Sequence, residues 1–216
     1  MGVQTDRRSR RRQDTIDEIL DVSLELMGTD GVAALSLSAV ARRVGMQPPS
    51  LYQYFPSKMA IYDALFRRGS EQLLAAQREA LAAHSDVRAQ GRAAITALCR
   101  WSMENQVYSQ LMFWRTVPGF EPSEEAFRPS RQGLENLRTH LHEMATAGLL
   151  DPAAASDEGL ALYSSMIAGL LSQQLANEPG ASFEDGRFTR LLPTVLDMFA
   201  ARYQPRGKTC QPSSPQ

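Results

Sequence analysis

The sequence predicts an all-α chain, on three observations. Apolar residues recur at three- and four-residue intervals over most of the length, the spacing that gathers side chains on one face of a helix. No segment alternates apolar and polar residues as a half-buried strand does. Turn-forming residues interrupt the pattern at Thr29-Asp30-Gly31, Gly45, Pro56, Pro118-Gly119, Asp151-Pro152 and Pro179-Gly180. With 216 residues, 43% of them hydrophobic, the chain is long enough for one large domain or two small ones with a substantial core.

The first helix is expected from about Gln13 to Met27, with Ile16, Ile19, Leu20, Ser23, Leu26 and Met27 on one face. Ser36 is placed to cap a second helix, in which Leu37, Val40, Ala41 and Val44 face inward and Arg42 and Arg43 outward; Gly45 ends it. A third begins at Gln47-Pro48-Pro49, since first-turn N–H groups have no intrahelical partner and proline is tolerated there. It extends to about Tyr54, because Pro56 disfavours helical geometry at Phe55. Ser57 can cap a fourth helix reaching roughly to His84. Five more helices are expected over 86–105, 107–115, 123–147, 155–177 and 184–203, and the Pro/Ser-rich residues 205–216 read as a disordered tail.

Composition narrows the function classes. There is no apolar run of about 18 residues and no apolar stretch behind the basic N-terminus, so neither a membrane span nor a signal peptide is expected, and a cytoplasmic location is. Cys99 and Cys210 stand far apart, which argues against a disulfide framework or a cysteine metal motif. His84, His140 and His142 lack metal-ligand spacing; no nucleophile elbow, phosphate loop or dinucleotide fingerprint is present, and no metal, cofactor or enzymatic activity is expected. Charge is unevenly placed: residues 1–70 carry 10 basic and 8 acidic side chains, the rest 13 and 16. Arg7, Arg8, Arg10, Arg11 and Arg12 crowd residues 1–12, a basic arm that reads equally as a nucleic-acid contact or as a solvated leader.

The helix, glycine turn and short helix over residues 36–54 have the spacing of a helix-turn-helix, whose second helix enters a DNA groove. In that arrangement the third helix offers Gln47, Ser50, Gln53 and Tyr54 to base edges, because amides and hydroxyls pair with them in the major groove. Ser36, Ser38, Arg42 and Arg43 are candidate phosphate contacts from the second helix. Leu51 and Phe55 are expected in the core; Tyr54 is divided between core and DNA.

Residues 13–65, above all GVAALSLSAVARRVGMQPPSLYQYFPSKMAIYDAL, resemble the DNA-binding domain of the tetracycline-repressor (TetR) family of bacterial transcriptional regulators. The likeness rests on Leu35-Ser36-Leu37, Ala41, Val44-Gly45, Leu51-Tyr52 and Tyr54-Phe55-Pro56-Ser57-Lys58. It implies a homodimer that binds a partly palindromic operator through its third helices. It also implies a larger helical domain, residues 66–204, that pairs the subunits and binds a small effector. Tyr52 and Lys58 are similar to family residues that meet backbone phosphates, whereas Pro48 stands where the family has a hydrogen-bond donor and can offer only apolar contact.

In the larger domain Trp101, Met103, Tyr108, Met112, Phe113 and Trp114 cluster within two helical segments. They read either as the lining of a pocket for a bulky, apolar effector or as plain core. Two apolar stripes, Leu160, Tyr163, Ile167, Leu170 and Leu171, and Leu191, Leu192, Val195, Met198 and Phe199, are expected to build a four-helix dimer interface. The function expected is a ligand-responsive repressor. The alternatives are a sequence-nonspecific helical DNA-binding protein and a helix-bundle enzyme with a vestigial DNA-binding motif.

Overall fold

The computed structural model describes residues 2–205, with side chains from Arg7 onward. Nine α-helices account for most of them: α1 Gly2–Asp30, α2 Leu37–Val44, α3 Pro48–Leu51, α4 Lys58–Ala82, α5 Val87–Glu104, α6 Gln106–Phe113, α7 Glu124–Thr146, α8 Asp157–Asn177 and α9 Leu192–Arg202. Short 3-10 turns occupy Val32–Ala34, Pro152–Ala155 and Thr189–Leu191, and no strand forms among the described residues. None of these helices is long and apolar enough to cross a membrane.

Most helices lie within a few residues of their expected positions, and the exceptions have local causes. α1 starts at Gly2 rather than Gln13, because residues 3–27 contain neither Gly nor Pro and arginine and glutamine are good helix formers. The expected separate basic arm is therefore the first turns of α1. α3 is shorter than expected and gives way to turns after Leu51. α9 begins at Leu192, not near residue 184, because Pro193 is accommodated only in a helix's first turn. The tail expected from residue 205 lies, from residue 206 on, outside the described residues.

The chain divides into two units, the first being the chain up to Ala76 with Glu104–Arg131 and the second Gln77–Met103 with the chain from Gln132 onward. In the first, Ile19, Leu20, Ser23 and Met27 of α1 are buried together with Val40 and Ala41 of α2, Leu51 of α3 and Ile61, Tyr62 and Leu65 of α4. Ser23 is tolerated there because its hydroxyl donates to the Ile19 carbonyl at 2.7 Å. Tyr62 donates its phenol to the Val32 carbonyl at 2.7 Å, so a fully buried ring joins α4 to the turn before α2. Gly69 of α4 lets α6 approach closely: a Cβ there would stand 2.6 Å from Cδ1 of Tyr108 and 2.8 Å from Sδ of Met112.

Two apolar clusters fill the second unit. Ile95, Cys99 and Met103 of α5 meet Ile167, Leu170 and Leu171 of α8 and Leu192 of α9. Leu141 of α7, Leu150, Ala154, Leu160 of α8, Phe199 of α9 and Tyr203 form the other. Burial pushes the Cys99 thiol up to about 12. The loop before α9 is held by the fully buried Gln174, whose Oε1 accepts from the Phe188 and Thr189 N–H groups at 3.0 and 3.3 Å.

Candidate nucleic-acid interface

Glycine and proline placement builds the helix-turn-helix. α2 ends at Gly45, whose φ of 79° lies in the left-handed region that glycine enters without a Cβ penalty. Its N–H and that of Met46 close back onto the Arg42 and Ala41 carbonyls at 3.3 and 2.9 Å. Gln47 is extended, and Pro48-Pro49 then supply two residues with φ already near the helical value. The Tyr54 and Phe55 N–H groups both bond the Leu51 carbonyl, at 2.9 and 3.0 Å, which turns the chain before Pro56. Ser57 accepts from the Ala60 N–H at 3.2 Å and caps α4, and Lys58 is that helix's first residue.

This geometry sorts the side chains. Leu51 is fully buried and Phe55 nearly so; burying Leu51 alone is worth about 2 kcal/mol. Gln47, Pro48, Ser50, Tyr52, Gln53 and Lys58 are exposed, Tyr52 by half of its surface, and Tyr54 is half-buried. Ser36 precedes α2 at its N-cap position, but its hydroxyl lies 2.9 Å from that of Ser38 and caps no backbone N–H; Arg42 and Arg43 are exposed in the last turn. Arg43 pairs with Glu25 at 3.4 Å, both side chains well exposed. Such a pair is worth at most about 1 kcal/mol, so the guanidinium can exchange partners.

The result is a set of exposed neutral hydrogen-bonding groups, Gln47, Ser50, Tyr52 and Gln53, on the segment that runs between the exposed cations Arg42 and Arg43 and the exposed Lys58. Amides and hydroxyls distinguish base edges, and cations neutralise phosphates. Lys58 also sits at the positive end of the α4 dipole, which favours an anion there. Pro48 and Pro49 carry no N–H, so the start of α3 lacks two of the amides that would otherwise face an anion. Arg12 is a neighbour that local motif reading misses: its Nη2 donates to the Gln53 carbonyl at 3.3 Å, and its guanidinium lies 4.9 Å from the Tyr54 ring centre.

The six residues expected to line one effector pocket are divided between the units. Trp101 and Met103 are buried in the second, Met103 within its core. Tyr108, Met112, Phe113 and Trp114 belong to the first, where Tyr108 and Met112 pack on Gly69 and Phe113 is exposed. The dimer stripes need correction. Leu160, Ile167, Leu170, Leu171, Leu192 and Phe199 are buried in the chain's own clusters, and the half-buried Tyr163 and Val195 pack against them. Apolar spacing selects a buried face but does not say whether the same chain buries it. Leu191 and Met198 remain exposed, by 50% and 60%.

Residues 19–65 match the family described as "Bacterial regulatory proteins, tetR family". The chain is 33% identical over 86 residues to the HTH-type transcriptional activator FasR of Mycolicibacterium smegmatis, a match covering 40% of this chain and 39% of that protein. It thus spans well under half the length of that curated relative. Its fold is similar to that of the TetR family transcriptional regulator PfmR from Thermus thermophilus, with a TM-score of 0.66 and 22% identity over 85% of this chain and 97% of the other. RolR in complex with resorcinol has the fold as well, with a TM-score of 0.59 and 14% identity over 92% and 91% of the two chains. The matched helix-turn-helix carries an exposed hydrogen-bonding face beside Lys58, the all-helical fold is shared along most of the chain, and residues 19–65 match the tetR family of bacterial regulatory proteins.

Proposed function

We propose that the protein regulates transcription by binding a partly palindromic DNA site as a homodimer, Gln47, Ser50 and Gln53 reading bases and Tyr52, Lys58 and Arg42 holding phosphates. The observation that carries this reading is the separation on one short segment of buried Leu51 and Phe55 from exposed Gln47, Ser50, Tyr52, Gln53 and Lys58. Purified protein incubated with genomic fragments should retain a discrete set of them. On a retained fragment, Lys58→Ala should weaken binding to all sequences alike and lower the salt slope by about 1 for each protomer, about 2 for the homodimer. An unchanged slope would remove Lys58 from the phosphate contacts, and equal retention of all fragments would favour a sequence-nonspecific DNA-binding protein.

The residues left exposed support a two-fold interface. On and beside α9 these include Leu191, Thr194, Met198 and Ala201; on α8 they include Leu162 and the small residues Ala161, Ser165, Ala168 and Gly169, which allow close helix approach. Sedimentation should give a dimer for the native chain and a monomer for Met198→Arg. Two-fold pairing would set the α3 helices to half-sites one turn apart, about 34–36 Å.

A small apolar effector that lowers DNA affinity completes the proposal. Buried Trp101 and Met103 are its suggested contacts in the second unit, and a coupling of about 1–3 kcal/mol would suffice for release. RolR, similar in fold, is described with the small aromatic resorcinol. FasR is described as an activator, so a reporter assay decides the sign of regulation, with repression the proposed outcome.

A further inference from the structure

Five arginines, Arg7, Arg8, Arg10, Arg11 and Arg12, fall within the first turns of α1, with no acidic residue among them. Over the next thirteen residues of the same helix the charges reverse: Asp14, Asp17, Glu18, Asp21 and Glu25 occur without a single Lys or Arg. Helix stability does not account for this order. Like charges three or four residues apart on a helix repel, and Arg7 with Arg11 and Arg8 with Arg12 are such pairs. No ion pair holds Arg7, Arg8 or Arg11 among the described residues, and all three are exposed. The cluster is therefore a concentrated positive charge that no described side chain neutralises at these three positions.

Its placement indicates the anion it meets. Arg12 and Arg8 stand four and eight residues before Ile16 and so continue, turn by turn, the stripe by which α1 packs on its unit. Arg12 at the end of that stripe reaches Gln53 and Tyr54, the last turn of the DNA-facing segment, with one hydrogen bond to a carbonyl and a flat approach to a ring. The basic turns are thus docked beside the surface assigned to DNA. Arg8 follows one turn further along the axis, about 6 Å away.

We infer that the first turns of α1 form a second DNA-contacting element, in which Arg12 fixes the helix against Tyr54 while Arg7, Arg8 and Arg11 bind the sugar-phosphate backbone beside the groove that α3 enters. These residues precede the segment matched to the family, which starts at residue 19. The inference rests on the DNA-binding reading above and adds to it a footprint wider than the helix-turn-helix alone provides.

The test uses the full chain and duplex fragments that the wild type retains from genomic DNA, with affinity measured against salt concentration. Arg8→Ala with Arg11→Ala removes two exposed side chains, so the circular-dichroism spectrum and melting temperature should stay at wild-type values. Losing two phosphate contacts per protomer, four per homodimer, should lower the salt slope by about 3.6 and weaken binding about a thousandfold at 0.15 M salt, for specific and random duplexes alike. Arg88→Ala, an exposed arginine of the second unit, should leave the slope unchanged. Hydroxyl-radical protection should shrink at the edges of the footprint in the double variant and not in Arg88→Ala. A double variant with the wild-type slope and footprint overturns the inference and leaves the DNA-binding reading intact, as does an equal fall in slope for Arg88→Ala. A wild type that retains no duplex overturns both.

Discussion

Replacing Gly69 by alanine should destabilise the protein, against the ordinary expectation for a glycine inside a helix. Gly69 lies within α4, and in a helix interior Gly→Ala is normally worth up to about 1 kcal/mol in favour of alanine. Here the added Cβ would meet Cδ1 of Tyr108 at 2.6 Å and Sδ of Met112 at 2.8 Å, where carbon contacts prefer about 3.5–4.0 Å. The half-buried Met112 can rotate away, but the Tyr108 ring is buried and must move by about 1 Å with α6. Overpacking of this kind costs about 1–3 kcal/mol, so the clash exceeds the helical gain. Gly133 inside α7 provides the comparison, since a Cβ there meets nothing within 4 Å. Both variants would be melted by circular dichroism at one protein concentration. Gly133→Ala should match or exceed the wild type. Gly69→Ala should melt below it, the gap between the two variants being about 2–4 °C for each kcal/mol of steric cost. A Gly69→Ala protein melting as high as Gly133→Ala would refute the close contact between α4 and α6.

Two further predictions concern the second unit. The Cys99 thiol, buried and pushed up to about 12, should resist iodoacetamide at pH 8 in a Cys210→Ala background and react only on unfolding; rapid labelling of the native protein would contradict its burial. His140 is held below its ordinary pKa of 6.5 by burial, with Glu143 and the Val87 backbone opposing that shift and Gly91 packed against its Nε2. The unfolded chain therefore binds the proton more readily than the folded one. Stability contributed by neutral His140 is full above pH 6.5 and is lost as the pH falls through the folded pKa. The melting temperature of His140→Gln should decline less than that of the wild type between pH 7 and pH 5, and parallel declines would refute the assignment.

The helix-turn-helix was legible because each of its parts has a local cause. Gly45 permits the left-handed turn, Pro48 and Pro49 start α3, Pro56 and Ser57 separate it from α4, and the spacing of Leu51 and Phe55 marks the buried side. What escaped the sequence depends on partners distant along the chain. Arg12 reaches Gln53 across 41 residues, and no local motif announces the contact, although its position four residues before Ile16 is an available sign. The stripes on α8 and α9 resemble a dimer surface because Ile167 or Phe199 looks the same in sequence whether a partner or α5 and α7 cover it. Tyr108 and Met112 have the composition of a ligand pocket and instead occupy the space left by Gly69.

The most direct test of the central claim is the affinity of the purified protein for a genomic fragment it retains, relative to random duplex of equal length, at a fixed 0.15 M salt. A reader of base edges built on Gln47, Ser50 and Gln53 predicts a preference of about a thousandfold or more. Equal affinity for the two duplexes would contradict it.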